Sequence, residues 1–340
     1  MIYSEILNKI LNRESFTLTE AELVMETIIG GDYTPAQIAA LLVALRIKGE
    51  TAEEIVGFVR SLRTHAIALP GAHTEVFDTC GTGGDGRGTF NISTATALVV
   101  VACGVKVAKH GNRAVSSACG SADVLEALGV NINLTPAQAS RCLEEAGIVF
   151  LFAPLYHPAF AKVGPVRKEL GVRTLFNILG PLVNPAMPRR QIIGIADPAK
   201  MQIIAQTLRL LGSEHAMVVR SGDGHDELTT TATADAYEVK RGIIEKYVLD
   251  PQDYGFSHAT NNDLRGGDVQ ENASIIRAVL SGEKGARLDT VLFNSGAALY
   301  VAGQAKDVGE GIAIAREAVT NGEATKLLEK FIEVSNRLKS

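Results

Sequence analysis

Three short stretches of the chain carry residue types that could do chemistry together. The first, DTCGTGGDGRGTFNIST at 78–94, places Gly81, Gly83 and Gly86 in the spacing G-x-G-x-x-G after the strand-like pair Val76-Phe77. Glycines so spaced let the backbone approach a phosphate closely. A dinucleotide site would need a helix opening at the glycines and an acidic residue about twenty positions later to hold a ribose hydroxyl. Neither occurs: after Asp85 there is no Asp or Glu until Asp123, while Arg87, Lys106, Lys109 and Arg113 fall in the gap. The Gly-Lys-Ser/Thr of a P-loop does not follow either. An acid-free, cation-bearing stretch suits a ligand with several phosphates. The helix start comes later, at Asn91, Ile92, Ser93 and Thr94, ahead of an apolar run at 95–102. An Asn or Ser cap there, with the free N–H groups beside it, would attract an anion.

The second stretch, AKHGNRAVSSACGSAD at 108–123, follows strand-like residues at 105–107. Lys109 and Arg113 supply positive charge, Gly111 permits close approach, and Ser116, Ser117 and Ser121 supply hydroxyls, a set suited to phosphate oxygens. A solvated turn would explain Arg113 but not the density of serines and glycines. The third, GDGHDELTTT at 222–231, gathers Asp223, Asp226 and Glu227 just after a strand at 216–220. Adjacent carboxylates repel unless a cation screens them, and phosphates elsewhere point to a hard one such as Mg²⁺. His225 has no second histidine at ligand spacing, so it reads as a surface residue rather than a transition-metal ligand.

These stretches need elements to hold them. The first seventy residues read as helices, with capping boxes at Thr19 with Glu22, Thr34 with Gln37, and Thr51 with Glu54, and with Pro35 at a first helical position. Ile38, Leu41, Leu42 and Leu45, then Ile55, Phe58, Val59 and Leu62, form apolar stripes at helical spacing, which are core faces. Such wide faces are also expected to make a homodimer contact. From residue 71 the pattern turns to α/β alternation: strands are expected at 105–108, 148–152, 191–196, 216–220, 237–240 and 243–249, the last two forming a hairpin around Arg241-Gly242. Helices fall at 122–128, after Thr135-Pro136 and Asp197-Pro198, and at 324–338.

The bulk properties narrow the class. At 340 residues, 46% hydrophobic and 21% charged, the chain can bury a large α/β domain and a smaller one. No apolar run approaches a membrane span, and residues 1–13 lack the layout of a secretory signal, so a cytoplasmic protein is expected. A net charge of −5 disfavours a general nucleic-acid surface. Cys80, Cys103, Cys119 and Cys142 stand far apart and read as buried, reduced thiols.

Taken in order, GTGGD at 81–85, NIST at 91–94, KHGNRAVSS at 109–117 and DE at 226–227 resemble the anthranilate phosphoribosyltransferases, and the likeness runs along essentially the whole chain. VRKELGVRTLFNILGPLVNP at 166–185 resembles the segment that joins the family's small helical domain to its α/β domain. The resemblance implies a small N-terminal all-helical domain at 1–70, joined in space by about 160–185, and a large α/β domain at 71–340 whose central, mostly parallel sheet is flanked by helices. It implies Mg²⁺-dependent transfer of a 5-phosphoribosyl group from phosphoribosyl pyrophosphate to anthranilate, the second step of tryptophan synthesis from chorismate. Gly81, Gly84, Asp85 and Thr89 would line the donor, together with Asn91, Ile92, Ser93 and Thr94. Lys109, His110, Gly111, Asn112, Arg113, Ala114, Val115, Ser116, Ser117 and Ser121 would complete that site. Ser93 with Glu227, and Asp226 with Glu227, would hold two Mg²⁺ ions. Asn112 and Arg167 would meet anthranilate, with Gly81 nearby and His110 along its path. No residue acts as a strong base in this scheme; Lys109 is the one candidate for direct help to the departing group. A homodimer through the helical domain is implied, with no nucleic-acid or membrane partner. His225 and Thr231-Ala232 stand where relatives often carry an apolar residue and a glycine. Two rival readings are a pyrimidine nucleoside phosphorylase, expected to run longer at its C-terminus, and a nucleic-acid-binding paralogue, expected to carry a basic face and a degraded GTGGD.

Overall fold

A computed structural model describes residues 2–71, 75–114 and 118–339. The chain opens with four helices, α1 (Tyr3–Leu11), α2 (Leu18–Gly30), α3 (Pro35–Lys48) and α4 (Ala52–Thr64). The boxes at Thr34 and Thr51 form as read, each hydroxyl accepting the N–H of the residue three on. Helix α2 departs from expectation by starting at Thr17 with Glu20, not at Thr19 with Glu22. TLTEAE at 17–22 offers two overlapping boxes, and the earlier one lets Glu20 close on the Thr17 N–H at 2.7 Å while pairing with Lys9 of α1 at 2.7 Å. Gly57 sits where α4 crosses α2: a Cβ there would lie 2.5 Å from the Leu18 carbonyl oxygen.

After β1 (Phe77–Asp78) the chain alternates: α5 (Ile92–Ala102), β2 (Val107–Gly111), α6 (Ser121–Leu128), α7 (Pro136–Ala146), β3 (Ile148–Phe152), then α8 (Ala153–Tyr156), α9 (Phe160–Leu170) and α10 (Phe176–Leu179). It continues through β4 (Arg190–Gly194), α11 (Met201–Leu210), β5 (His215–Ser221), β6 (Ala234–Lys240) and β7 (Ile243–Leu249) to α12 (Val269–Leu280), α13 (Ala286–Ala302), α14 (Val308–Thr320) and α15 (Glu323–Arg337). The seven strands form one sheet in the order β3-β2-β1-β4-β5-β6-β7. Its first five members pair in parallel, and β5-β6-β7 are antiparallel. The β6–β7 turn is the expected one, since Arg241 and Gly242 both adopt positive φ, 50° and 81°, as a tight primed hairpin turn requires.

Strand β2 runs two to three residues later than the sequence suggests. Its register with β3, from Val107 opposite Ile148 to Gly111 opposite Phe152, draws Lys109 and His110 onto the strand rather than into the loop after it. Both faces of the sheet are covered, and alternate residues serve two cores. Ile192, Met217 and Val219 pack with α5 and α13, whereas Ile193 and Val218 pack with α11 and with the first four helices. That second core also takes in Val163 and Val166 of α9, Phe176 and Leu179 of α10, and Leu182. Cys119 and Cys142 are buried as expected, but Cys80 and Cys103 are only half-buried.

Candidate active site

The order β2-β1-β4 means that the chain leaves β1 toward one edge of the sheet and returns to β4 on the other side. Ligands of open α/β sheets sit at the carboxyl ends of strands on either side of such a reversal. The glycine-rich loop leaves β1 at this point. Gly83, Gly84, Gly86 and Gly88 all hold positive φ, from 63° to 75°, which side-chain-bearing residues rarely adopt. The loop is hung on its neighbours by Thr82, whose N–H donates to the Gly194 carbonyl at 2.9 Å, and by Gly83, whose N–H donates to Asp226 Oδ2 at 2.7 Å.

The acidic loop follows β5. Ser221 shares a hydrogen bond with Thr229 at 2.8 Å, and Thr231 Oγ1 donates to Asp223 Oδ2 at 2.7 Å, so the turn is braced from within. Carboxylate oxygens of Asp85, Asp226 and Glu227 all lie within 4.8 Å of one another. Asp226 and Glu227 are the acids expected to hold a metal; Asp85, expected at the donor site, joins them in space. Burial raises the pKa of Asp226, and Asp85 adds to it. Burial together with Asp226 pushes Glu227 well above the ordinary carboxylate value. Asp85 would be raised by burial too, but His225 and the Arg87 N–H outweigh that and hold it low. Asp85 Oδ2 and Glu227 Oε2 are buried without a hydrogen-bond partner. Three oxygen-donor groups in mutual repulsion with unfilled lone pairs fit a hard divalent cation.

His225 is not on the surface, contrary to expectation: it is completely buried. Its Nδ1 lies 3.5 Å from Asp85 Oδ2 and its Nε2 3.6 Å from Asp223 Oδ2, with Asn261 Oδ1 also against Nε2. Burial disfavours its charged form, but Asp85, Asn261 and Asp223 outweigh that and raise its pKa.

Lys109 comes up from β2 with its Nζ 3.3 Å from Thr79 Oγ1 and 3.4 Å from Ser93 Oγ, so it faces the start of α5. Beneath it, Asp78 is fully buried and accepts from Asn184 Nδ2 at 2.7 Å and from the N–H groups of Cys80 and His110 at 3.1 and 3.3 Å. Burial pushes the Asp78 carboxyl up to about 6 against the pull of Lys109. Sequence reading passed over Asp78, Thr79 and Asn184. An acid at the end of a central strand was the available signal, because a buried carboxylate demands partners.

Asn91 holds the N-cap position of α5 but does not cap it, against expectation: its backbone ψ is 72°, and its Nδ2 donates to the Cys119 carbonyl at 3.1 Å. Its Oδ1 is buried without a partner. Thr89 pairs with Arg265 across a β-bridge behind the loop. On the far side, Ser121 Oγ donates to the Asn112 carbonyl at 3.3 Å, and the N–H groups of Ala114 and Gly120 both donate to Asp123 at 2.9 Å. Arg113 is turned outward in ion pairs with Asp123 and Glu126. Val115, Ser116 and Ser117 lie outside the described residues.

A row of rings leads away from His110. His110 and His157 meet edge-on at 5.2 Å, His157 stacks on Phe160 at 5.0 Å, Phe160 meets Phe176 at 5.8 Å, and Arg167 lies over Phe176 at 5.5 Å. Burial lowers both histidines, to about 3 for His110 and about 4 for His157, so the row is uncharged up to Arg167. Two further arginines border the loops: Arg87, one of the cations of the acid-free stretch, and Arg173, within the 166–185 segment. Arg173 packs its guanidinium against Gly84 while its carbonyl accepts from Arg46, and Arg87 donates to the Asp223 carbonyl.

Residues 73–325 match the glycosyl transferase family, a/b domain, and residues 4–66 match that family's helical bundle domain. Anthranilate phosphoribosyltransferase of Thermoanaerobacter sp. (strain X514) is 49% identical over 334 residues, covering 98% of this chain and 99% of that protein. The crystal structure of anthranilate phosphoribosyltransferase from Thermus thermophilus superposes with a TM-score of 0.91 at 42% identity, covering 97% of this chain and 99% of the other. The Saccharomyces cerevisiae anthranilate phosphoribosyltransferase, solved in complex with PRPP and Mg, superposes with a TM-score of 0.89 at 25% identity, covering 98% of each chain. With the glycine loop, the carboxylates and Lys109 gathered at one end of the sheet and such likeness along the full length, the chain belongs to the anthranilate phosphoribosyltransferase family.

Proposed function

We propose that the residues at the carboxyl ends of β1, β2, β4 and β5 transfer the 5-phosphoribosyl group of phosphoribosyl pyrophosphate to the amine of anthranilate and release pyrophosphate. The observation that carries this is the Gly83 to Asp226 hydrogen bond of 2.7 Å, which joins a phosphate-shaped glycine loop to a group of three carboxylates. Gly81, Gly84, Asp85, Thr89, the 91–94 turn and Lys109 through Ser117 with Ser121 make up the donor site in this reading. Ser93 with Glu227 and Asp226 with Glu227 would hold two Mg²⁺ ions, with Asp85 as a third carboxylate beside Asp226 and Glu227. Bound Mg²⁺ would neutralise the developing charge on the departing pyrophosphate.

The chain's own groups do the remaining work. Lys109, held by Thr79 and Ser93, sets a fixed positive charge beside the departing group, where a desolvated charge is worth more than in water. Asp78 and Asn184 keep that strand end in place. The ring of anthranilate lies along the neutral His110–His157 row with Asn112 and Gly81 at its side, and its carboxylate meets Arg167, whose planar fork matches it. An aromatic amine attacks while neutral and sheds its proton afterwards, so no strong base is needed and positioning dominates. Residues 1–70, joined in space by 160–185, act as one helical unit and the rest of 71–340 as the other, the two sharing the cleft. The exposed Ile2, Leu11, Leu23 and Ile47 support a homodimer through the first unit. Among the described residues no helix is long and apolar enough to cross a membrane; we place the enzyme in the cytoplasm.

Pyrophosphate release, measured with anthranilate, donor and Mg²⁺ omitted in turn, should depend on all three. Release without anthranilate, or phosphate-dependent cleavage of uridine or thymidine, would overturn the reading.

A further inference from the structure

Arg173 is left without a task by the function proposed above. It comes just after α9, which Gly171 closes with a left-handed φ of 60°, and so lies in the same segment as Arg167. Its backbone is held from several directions. Arg46 of α3 donates to its carbonyl, the Thr174 N–H donates to Asn177 Oδ1 at 2.9 Å, and Leu175 and Phe176 are buried in the core shared with the first four helices. Its side chain is exposed and reaches across to the glycine loop, where a Cβ added to Gly84 would stand 2.7 Å from Nη2 and 3.5 Å from Cζ. Added at Gly83, Gly86 or Gly88, a Cβ would meet nothing within 4 Å. Of these four glycines only Gly84 is covered, and Arg173 covers it.

The guanidinium itself is unused. It carries five N–H donors in a planar fork, yet among the described residues it has neither a hydrogen bond nor an ion pair. The arginines of the neighbouring loops are engaged: Arg87 donates to the Asp223 carbonyl, and Arg113 pairs with Asp123 and Glu126. An arginine kept only for solubility gains nothing by lying on a glycine, which offers no side chain to pair with or stack on. Arg46 brings a second guanidinium to the same place, and it too has no acid partner among the described residues. Two cations gathered without an acid between them repel one another and favour an anion.

We propose that Arg173 binds the pyrophosphate end of the donor, its planar fork meeting phosphate oxygens at the Gly83-Gly84 turn. The pyrophosphate end is chosen over the 5-phosphate because this turn is tied to the carboxylates through Gly83 and Asp226. The proposal rests on the assignment of the glycine loop to the donor and deepens it: the donor is gripped from the α/β unit by the loop and Lys109, and from the helical unit by Arg173. Arg167 and Arg173 then divide the substrates, one to each.

The test compares Arg173→Ala with Arg173→Lys, which keeps the charge but loses the fork. Two sets of quantities are read: calorimetric affinities for inorganic pyrophosphate at fixed Mg²⁺ and for ribose 5-phosphate, and the KM values for donor and anthranilate. Expected for Arg173→Ala is a loss of about 10–100-fold in pyrophosphate affinity, the worth of a charged hydrogen bond, and a similar rise in the donor KM. The anthranilate KM, the ribose 5-phosphate affinity and the melting temperature should stay those of the unaltered enzyme, and Arg173→Lys should fall between the two. Unaltered pyrophosphate affinity and donor KM in Arg173→Ala would overturn the proposal, as would an equal loss for ribose 5-phosphate or a loss confined to anthranilate. Failure of the unaltered enzyme to release pyrophosphate would instead count against the functional reading; the affinities are measured without turnover, which separates the two.

Discussion

Replacing Gly194 by alanine asks whether the acidic loop must sit where it does. Gly194 ends β4, and its backbone is outside the left-handed region, so alanine is allowed by conformation and opposed only by space. A Cβ built there overlaps the Asp226 carbonyl oxygen, and the carbonyl carbon of Asp226 stands 2.6 Å away. Non-bonded carbons settle at about 3.5–4.0 Å, so one of the two backbones must retreat by roughly 1 Å or more. The move cannot stay local. The Gly194 carbonyl accepts the Thr82 N–H at 2.9 Å and Asp226 accepts the Gly83 N–H at 2.7 Å, so both anchors of the glycine loop shift with it. Overpacking of this kind costs about 1–3 kcal/mol of stability, whereas a displacement of about 1 Å between reacting groups costs on the order of 10²-fold in rate. Gly194→Ala should therefore lose about 10²-fold in kcat/KM for the donor, with a raised Mg²⁺ requirement, while remaining folded at assay temperature. Gly57→Ala is the control: it jams a Cβ 2.5 Å from the Leu18 carbonyl oxygen far from the carboxylates, and it should lower the melting temperature without altering the Mg²⁺ dependence. Steady-state pyrophosphate release over a Mg²⁺ titration, with thermal melts of both variants, measures this. A folded Gly194→Ala enzyme with unaltered kcat/KM would refute the argument that Gly194 sets the loop's position.

Arg167→Ala should raise the KM for anthranilate by about 10–100-fold, the worth of a charged hydrogen-bonded pair, and leave donor affinity unchanged by calorimetry; an unaltered anthranilate KM removes Arg167 from the site. Glu227→Gln should raise the Mg²⁺ needed for half-maximal rate by more than the about 10–100-fold that outer groups cost, and full activity at limiting Mg²⁺ would defeat the metal assignment. At the other end of the sheet, burial would raise Glu238, but donation from His215 at 2.7 Å and from Tyr300 and Tyr247 at 2.8 Å brings it down to about 2 from an ordinary 4.5. Because the folded value lies below the unfolded one, its stabilisation is complete above about pH 4.5 and fades as pH falls toward 2, so the gap in urea midpoint between the unaltered chain and Glu238→Gln should be constant from about pH 7 to 5 and narrow below that; a constant gap throughout would contradict it.

What could be read ahead of the structure was whatever a few neighbouring residues decide among themselves. Thr34 with Gln37, Thr51 with Glu54, the Arg241-Gly242 turn and the strands at 148–152 and 243–249 depend on local caps, local backbone preference and short-range pattern, and each stands as read. The two-residue strand β1 has no period to detect, and β2 slid along its neighbour because register is settled by β3. The missed site residues share one property: their partners are remote. Asp78 meets Asn184 across 106 positions, and Arg46 meets Arg173 across 127. No local rule sees such pairs. Apart from the capping box of α2, which forms two residues earlier than expected, the departures from local rules fall together in space: Asn91 forgoes its cap, His225 is buried although polar, four successive loop glycines take left-handed φ, and Asp85 and Glu227 keep buried oxygens unpaired. A fold under no other demand would have removed each of these, since each is destabilising by itself. Their convergence on the carboxyl ends of β1, β4 and β5 is what sequence consistency elsewhere in the chain leaves over, and it marks the place where binding rather than folding selected the residues.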